Sequence, residues 1–262
     1  MSPSIEQHPF VELLRIDPEL AAIRAEYARR PSDQRRMAAD LAYHQAEAGR
    51  MFGLGGGDPW QGHVVALATD PGFAPAILTV GTLEYELGRP AEAKALLDTL
   101  HGLPADTEDL PVALDKAATY LGQRGEHEAA LAFFRKALAR FPRDAALLKG
   151  PSWCLGHLGR HDEAVIDARR AAALCPDDPE MQADLGWCLV EAGQIEEAVG
   201  LLERAVARWP EHELARGNLE EARRRLGGRS GSTEAGGEAD RKGSRGKGFR
   251  SQGKAGRKVG RR

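Results

Sequence analysis

The chain has 262 residues, of which 42% are hydrophobic, 29% charged and only 6% aromatic. This composition suits a helical protein with enough apolar residues for a continuous core, and no stretch approaches the 18 apolar residues of a membrane-spanning helix. The net charge of −3 conceals an asymmetry, because residues 1–226 hold 25 Lys and Arg against 36 Asp and Glu, whereas residues 227–262 hold 11 against 3. The chain therefore combines an acidic body of charge −11 with a basic tail of charge +8.

The number of cysteines and the N-terminal sequence indicate the cellular compartment of the protein. Cys154, Cys175 and Cys188 are too few, and odd in number, for a disulfide framework. The sequence MSPSIEQHPF contains a glutamate and no long apolar run, so it lacks the pattern of a secretory signal. These features favour a cytoplasmic protein.

Residues 1–39 are predicted to form N-terminal helices. The first is indicated by an apolar cluster of Phe10, Leu13, Leu14 and Ile16. Asp17 and Pro18 then have the pattern of an N-cap followed by the first helical turn. The second helix has apolar residues at intervals of three to four and ends at Pro31.

An internal repeat of 34 residues is the strongest signal in the sequence. Four columns of residues share this step: Gly125, Gly159 and Gly193; Ala130, Ala164 and Ala198; Ala137, Ala171 and Ala205; and Pro142, Pro176 and Pro210. Each column has a physical reason. The glycine ends one helix in the left-handed conformation, the alanines allow close helix packing, and the proline ends the second helix. The unit is a helical hairpin that buries its apolar face only by stacking.

This spacing resembles the tetratricopeptide repeat (TPR) family, with units at 111–144, 145–178 and 179–212. An earlier unit at 74–107 fits with Gly81, Gly88, Ala93 and Leu97, and a three-residue insertion follows it. A degenerate unit is expected at 40–73, with an enlarged turn GLGGGDP, and a capping helix at 213–226. The resemblance implies an all-α, right-handed α-solenoid of helix-turn-helix repeats.

One residue departs from the family pattern. Pro151 lies inside the expected first helix of unit 145–178, where a proline costs about 3 kcal/mol. We expect that helix to start late, near Lys149 or Gly150, or to kink.

In the family the first helices line a concave groove that binds peptides. The resemblance places these side chains in that partner-binding groove: Tyr85, Asp115, Lys149, Trp153, His157, Trp187 and Glu191. Trp153 and Trp187 occupy equivalent positions, and exposed tryptophans are effective anchors for a partner. The alternative is that both tryptophans are packing residues between adjacent helices.

The sequence offers little for catalysis or metal binding. Cys154, His157, His161 and Cys175 have a spacing that suits a zinc site in part, but in the repeat phase Cys154 and Cys188 are expected to be small buried residues. The glycine run at 53–58 lacks the Lys-Ser/Thr ending of a phosphate loop. We expect no enzyme activity, cofactor or metal.

Residues 227–262 are predicted to be disordered, because eleven glycines and few apolar residues cannot offset the entropy of ordering. The tail is a solubilising segment, a polyanion-binding segment, or a ligand of its own acidic body. The residues that would bind a polyanion are Arg241, Lys242, Arg245, Lys247, Arg250, Lys254, Arg257 and Lys258.

The expected function is that of a non-catalytic scaffold or assembly factor that binds a protein or peptide partner in the TPR groove. The alternative is a nucleic-acid- or ribosome-associated protein, in which the tail binds RNA or DNA and the repeats recruit a partner.

Overall fold

The computed structural model describes residues 9–52 and 60–232, and every regular element within these ranges is helical. The first eight α-helices are α1 (Phe10–Ile16), α2 (Pro18–Tyr27), α3 (Ser32–Phe52), α4 (Gln61–Thr69), α5 (Ala74–Glu86), α6 (Pro90–Asp98), α7 (Leu110–Gln123) and α8 (His127–Arg140). They are followed by α9 (Ala145–His157), α10 (His161–Leu174), α11 (Pro179–Glu191), α12 (Ile195–Arg208) and α13 (Glu213–Ser232). A 3-10 turn, Thr99–Gly102, extends α6. None of the described helices is long and apolar enough to cross a membrane.

The chain divides into two compact units, Met1–Gly150 and Pro151–Arg262. The division falls inside α9, at the proline that interrupts the helical hydrogen-bond ladder. In the first unit α3 packs on α4, α5 on α6 and α7 on α8. In the second unit α10 packs on α11, and α11, α12 and α13 pack on one another.

The repeated residues take the conformations predicted for them. Four glycines have a positive φ between 71° and 84°, which ends the first helix of each hairpin: Gly88, Gly125, Gly159 and Gly193. The two alanine columns are buried, with at most 3% of any side chain exposed. Each of α8, α10 and α12 ends two residues before the repeated proline. The all-α repeat fold predicted from the 34-residue step is therefore confirmed.

Small residues set the distance between the helices of a hairpin. A Cβ added at Gly81 would lie 2.6 Å from the side chain of Leu97, and one added at Gly186 would collide with Leu202. Leu97 and Leu202 are themselves fully buried. A leucine of the second helix therefore packs directly against each glycine of the first helix, which allows the two helices to approach closely.

Helices α1 and α2 lie in the segment 1–39 that was predicted to hold N-terminal helices, whereas residues 32–39 belong to α3. The Asp17 carboxylate accepts the backbone N–H groups of Glu19 and Leu20 at 2.9 and 3.2 Å, which caps α2. The backbone N–H of Phe10 donates to the buried carboxylate of Glu84 in α5 at 2.5 Å. Glu84 also pairs with Arg89 at 2.7 Å, so its charge is compensated.

Of the two outcomes expected at Pro151, a late start or a kink of the helix, the late start is wrong. Helix α9 begins at Ala145, and Pro151 lies in its interior. The side chain of Asp144 accepts the Leu147 N–H at 3.1 Å and so caps the first turn. This cap, with the burial of Leu147 and Leu148, stabilises the turn that precedes the proline.

The last helix is longer than the predicted capping helix at 213–226. Helix α13 continues to Ser232 and so includes the first six residues of the predicted tail. Extension from a packed helix needs no new nucleation, because each added residue contributes one hydrogen bond. The remaining tail, 233–262, and the glycine-rich turn at 53–59 lie outside the described residues.

Candidate partner-binding groove

A groove of about 360 Å³ lies between α5 and α7 in the first unit. Its lining is mostly polar: Leu78, Thr79 and Thr82 come from α5, and Asp115, Lys116, Thr119, Tyr120 and Gln123 come from α7. On each helix these residues are adjacent or three to four positions apart, so they share one helical face. The hydroxyls, the amide and the charged groups supply both hydrogen-bond donors and acceptors.

An aromatic cluster stands beside the groove and fixes Tyr120. The rings of Tyr85 and Tyr120 meet edge to face with centroids 5.8 Å apart, and the Arg124 guanidinium lies 5.1 Å from the Tyr120 ring. The Tyr120 hydroxyl lies 3.2 Å from the Thr82 carbonyl oxygen and 3.0 Å from a Glu86 carboxylate oxygen, and these two acceptors share its single proton. Glu86 also pairs with Arg124. Tyr120 is thus held in one orientation before any ligand binds.

Asp115 is the acidic group of the groove lining. Burial, reinforced by the nearby negative charge of Asp144, raises the pKa of Asp115 to about 6. Lys149 and Lys116 oppose this shift and do not cancel it. A carboxylate held in a groove at a cost in solvation is suited to receive a cationic group from a ligand.

The second unit carries the two tryptophans that were predicted to anchor a partner. Trp153 of α9 is half-buried and meets His157 edge to face at a centroid distance of 5.1 Å. Trp187 of α11 is also half-buried, and the Arg225 guanidinium of α13 lies 5.8 Å from its ring. Arg225 also binds Glu191 at 2.7 Å.

Helix α13 therefore has a direct role at the predicted Trp187 site. Arg225 reaches the Val190 carbonyl at 3.3 Å and Glu221 at 2.7 Å, in addition to Trp187 and Glu191. The buried Asn218 side chain donates to the Ala183 carbonyl at 3.0 Å, which fixes α13 on α11. Part of the Trp187 surface is thus used for intramolecular packing.

Of the residues predicted to line the partner-binding groove, one lies in the α5–α7 groove and others lie next to it or on neighbouring helices. Asp115 lines the α5–α7 groove, and Tyr85 stands beside it against Tyr120. Lys149 is half-buried on α9 and acts electrostatically on Asp115. Sequence reasoning missed Tyr120 and Arg225. The step of 34 between Glu86 and Tyr120, and between Glu191 and Arg225, was available as a signal for both contacts.

The described residues contain no group of three or more His, Cys, Asp or Glu side chains placed to hold a metal ion. Cys154 and Cys188 are buried, as their place in the repeat predicts. Burial raises the pKa of the Cys188 thiol to about 12, so it stays protonated and unreactive. The tail residues 241–258 that were predicted to bind a polyanion lie outside the described residues.

Comparison with known families agrees with the repeat geometry. Two models described as tetratricopeptide repeat match the chain, one over residues 116–179 and the other over residues 157–215. Residues 116–215 of the chain are tetratricopeptide repeats. The matched residues include the second half of α7, all of α8 and both α11 and α12.

Two solved structures show a similar fold at low sequence identity. The MamA protein is 18% identical with a TM-score of 0.50, and the match covers 67% of this chain and 96% of MamA. YrrB, described as a TPR protein with an unusual peptide-binding site, is 19% identical with a TM-score of 0.50. That match covers 79% of this chain and 96% of YrrB. No curated protein matches the chain.

Proposed function

We propose that this TPR protein is a non-catalytic, cytoplasmic scaffold or assembly factor that binds a peptide segment of a partner protein along the first helices of its repeats. The α5–α7 groove is the observation that carries the proposal. It presents hydroxyl, amide, carboxylate and ammonium groups on one face, and Tyr120 is held in place beside them. Such a lining suits the backbone and polar side chains of an extended peptide.

The chemistry of Asp115 narrows the class of peptide. Ionised Asp115 gains a favourable contact when a lysine or arginine side chain enters the groove. Because the pKa of Asp115 is raised to about 6, affinity for a basic peptide is expected to rise as the pH increases through that value. In the second unit Trp153 and Trp187 are proposed to provide the apolar contacts.

A peptide selection tests this proposal. Peptides selected from a random displayed library on the full-length protein would be measured against wild type and Thr119→Arg, which fills the groove. Loss of at least tenfold in affinity, or about 1.4 kcal/mol, is expected. Thr99→Arg is a matched control, because Thr99 is exposed and lies away from the groove lining. Equal affinity for the two arginine variants would exclude the groove as the binding site.

The alternative function, nucleic-acid binding, is supported only by the composition of the tail. Ten of its basic residues lie in 233–262 among three acidic ones, all at 234–240. Such a segment neutralises phosphates without selecting a sequence, since Phe249 is its single aromatic residue. The groove would then recruit a second partner and would not contribute to nucleic-acid affinity.

A further inference from the structure

The outer face of α3 is apolar and exposed. Of the seven large apolar side chains that are exposed in the described part of the chain, four belong to this helix. They are Met37, Leu41, Met51 and Phe52, and between 60% and 72% of each is accessible to solvent. At 100° per residue these four positions, with Ala48 between them, fall within an arc of about 100°. They form one stripe about 22 Å long, which the exposed His44 interrupts near its middle.

The opposite face of α3 is already used in packing. Ala39 is fully buried, and a Cβ added at Gly62 of α4 would lie 2.6 Å from the Cβ of Ala46. Tyr43 reaches α5, where its hydroxyl lies 3.2 Å from that of Thr79. The small residues of α3 therefore face the core, and its large apolar residues face away from it. This is the reverse of the usual arrangement of a surface helix.

The size of the stripe is sufficient for association. The four side chains expose about 500 Å² of apolar surface, which is near the upper range for a monomeric protein. Two such patches in contact would bury about 1,000 Å², the lower limit for a specific interface.

The rest of the chain offers no matching apolar segment. The segments outside the described residues, 1–8, 53–59 and 233–262, hold only five large apolar residues: Met1, Ile5, Leu54, Phe249 and Val259. Only Met1 and Ile5 have the spacing of adjacent turns on a helical stripe, and even as a helix eight residues would span about 12 Å, roughly half the length of the α3 stripe. None of these three segments therefore supplies an apolar run as long as the α3 stripe.

The stripe complements itself. If two copies of α3 pair antiparallel about a point midway between positions 44 and 45, Met37 of one copy faces Phe52 of the other, and Leu41 faces Ala48. A bulky residue then meets a small one on each side of the centre, and a thioether meets an aromatic ring at each end. The exposed polar side chains of residues 44 and 45, a histidine and a glutamine, face each other across the axis. The histidine Nε2 lies 3.3 Å from Asp40 of its own helix, so its other ring nitrogen faces the glutamine of the second copy. An isologous two-fold interface requires a patch that fits its own copy in this way.

We propose that the outer face of α3 is a homodimer interface, in which the Met37–Phe52 stripe pairs antiparallel with the same stripe of a second copy of this chain. This interface lies on the opposite side of α3 from the contact with α5, so it does not use the α5–α7 groove. Dimerisation would present two grooves to a partner and raise the avidity for a repeated or dimeric ligand.

Sedimentation equilibrium of the full-length protein from about 1 to about 200 µM tests the proposal. Wild type is expected to form dimers within this range, and Leu41→Glu is expected to weaken dimerisation by at least about 100-fold, because two carboxylates would be buried without partners. Leu41 is 60% exposed, so the variant should keep the helical content and melting temperature of wild type. Ile166→Glu is the matched control, since Ile166 is 66% exposed on α10 and does not belong to the stripe.

Disulfide cross-linking tests whether the two α3 helices pair antiparallel. In a Cys175→Ser background, His44→Cys lies next to the proposed two-fold axis and should form an intermolecular disulfide, whereas Met37→Cys alone should not. Three results would each overturn the proposal. The wild type could stay monomeric, Leu41→Glu and Ile166→Glu could weaken the dimer equally, or His44→Cys could fail to cross-link the dimer. None of these results bears on peptide binding, which Thr119→Arg tests separately.

Discussion

Single glycines in this protein hold places that no larger residue can take. Gly150 in α9 lies against the ring of Phe134 in α8, and an added Cβ would collide with three atoms of that ring. Phe134 is fully buried, so the ring has no free space to move into. Gly150 also precedes Pro151, whose ring restricts the backbone of the residue before it.

Gly150→Ala is therefore expected to lower the free energy of unfolding by about 2 kcal/mol, since overpacking outweighs the higher helix propensity of alanine. Urea unfolding followed by circular dichroism measures the change. Gly200→Ala in α12 is the control, because the nearest atom to its added Cβ is 3.7 Å away at the end of Arg204. The free energy of unfolding of the control should rise by up to about 1 kcal/mol. An equal decrease in both variants would contradict the packing explanation.

Ionised Asp115 is expected to lower the free energy of unfolding at neutral pH. Its folded-state pKa of about 6 lies above its ordinary value near 4, so the folded protein binds the proton more tightly than the unfolded chain. The stabilisation from this group is present at low pH and is lost as the pH rises from about 4 through 6. Asp115→Asn should therefore raise the free energy of unfolding at pH 7.5 by about 1 kcal/mol, a figure reduced for solvent screening in an open groove.

The pH dependence of this difference provides the check. Urea unfolding of wild type and Asp115→Asn at several pH values should show the gain shrinking as the pH falls toward 4. A gain that stays constant with pH would mean that Asp115 does not titrate as described.

Among the secondary-structure elements, α9 is a helix with a proline in its interior. Pro151 has no N–H to donate to the Leu147 carbonyl, and the boundary between the two compact units falls at this residue. Pro151→Ala should restore the hydrogen bond and raise the free energy of unfolding by about 1 to 3 kcal/mol. Thermal and urea unfolding would measure this, and an unchanged or lower stability would show that α9 accommodates the proline without cost.

The helices and their phase follow from residues that act locally. A glycine with positive φ at Gly125, a buried alanine at Ala130 and a terminating proline at Pro142 each impose a backbone state on their own segment. The sequence predicted these elements because their causes lie within a few residues. It predicted the start of α9 incorrectly, because the cap at Asp144 and the burial of Leu147 outweighed the proline.

The groove was harder to predict because it depends on contacts between repeats. Asp115 was expected on the inner face from its repeat position, but the orientation of Tyr120 depends on Thr82 and Glu86 in the preceding hairpin. Arg225 reaches Trp187 from a helix outside the repeated units. The exposed stripe on α3 was likewise hidden, because apolar residues that share one helical face, such as Met37 and Leu41, have the same spacing whether that face is buried or exposed.

For the whole molecule, the main open question is what the positively charged C-terminal segment binds. If the tail lies along the acidic body, deleting 233–262 should raise the affinity of the groove for a basic peptide at low salt and have little effect at high salt. Fluorescence anisotropy with labelled peptide at two ionic strengths measures this. If the tail instead binds RNA or DNA, the deletion should abolish a nucleic-acid affinity that falls steeply with salt, and leave peptide affinity unchanged.

Hydrogen–deuterium exchange on the full-length protein, with and without a selected peptide, shows which helices the peptide contacts. Peptide binding should add protection in the first helices of the repeats, α5 and α7 in the first unit and α11 in the second, and leave α6, α8 and α12 unchanged. Protection confined to α6, α8 or α12, or a bound peptide that protects no first helix, would contradict the proposal that this protein binds its partner through the inner helices of its TPR units.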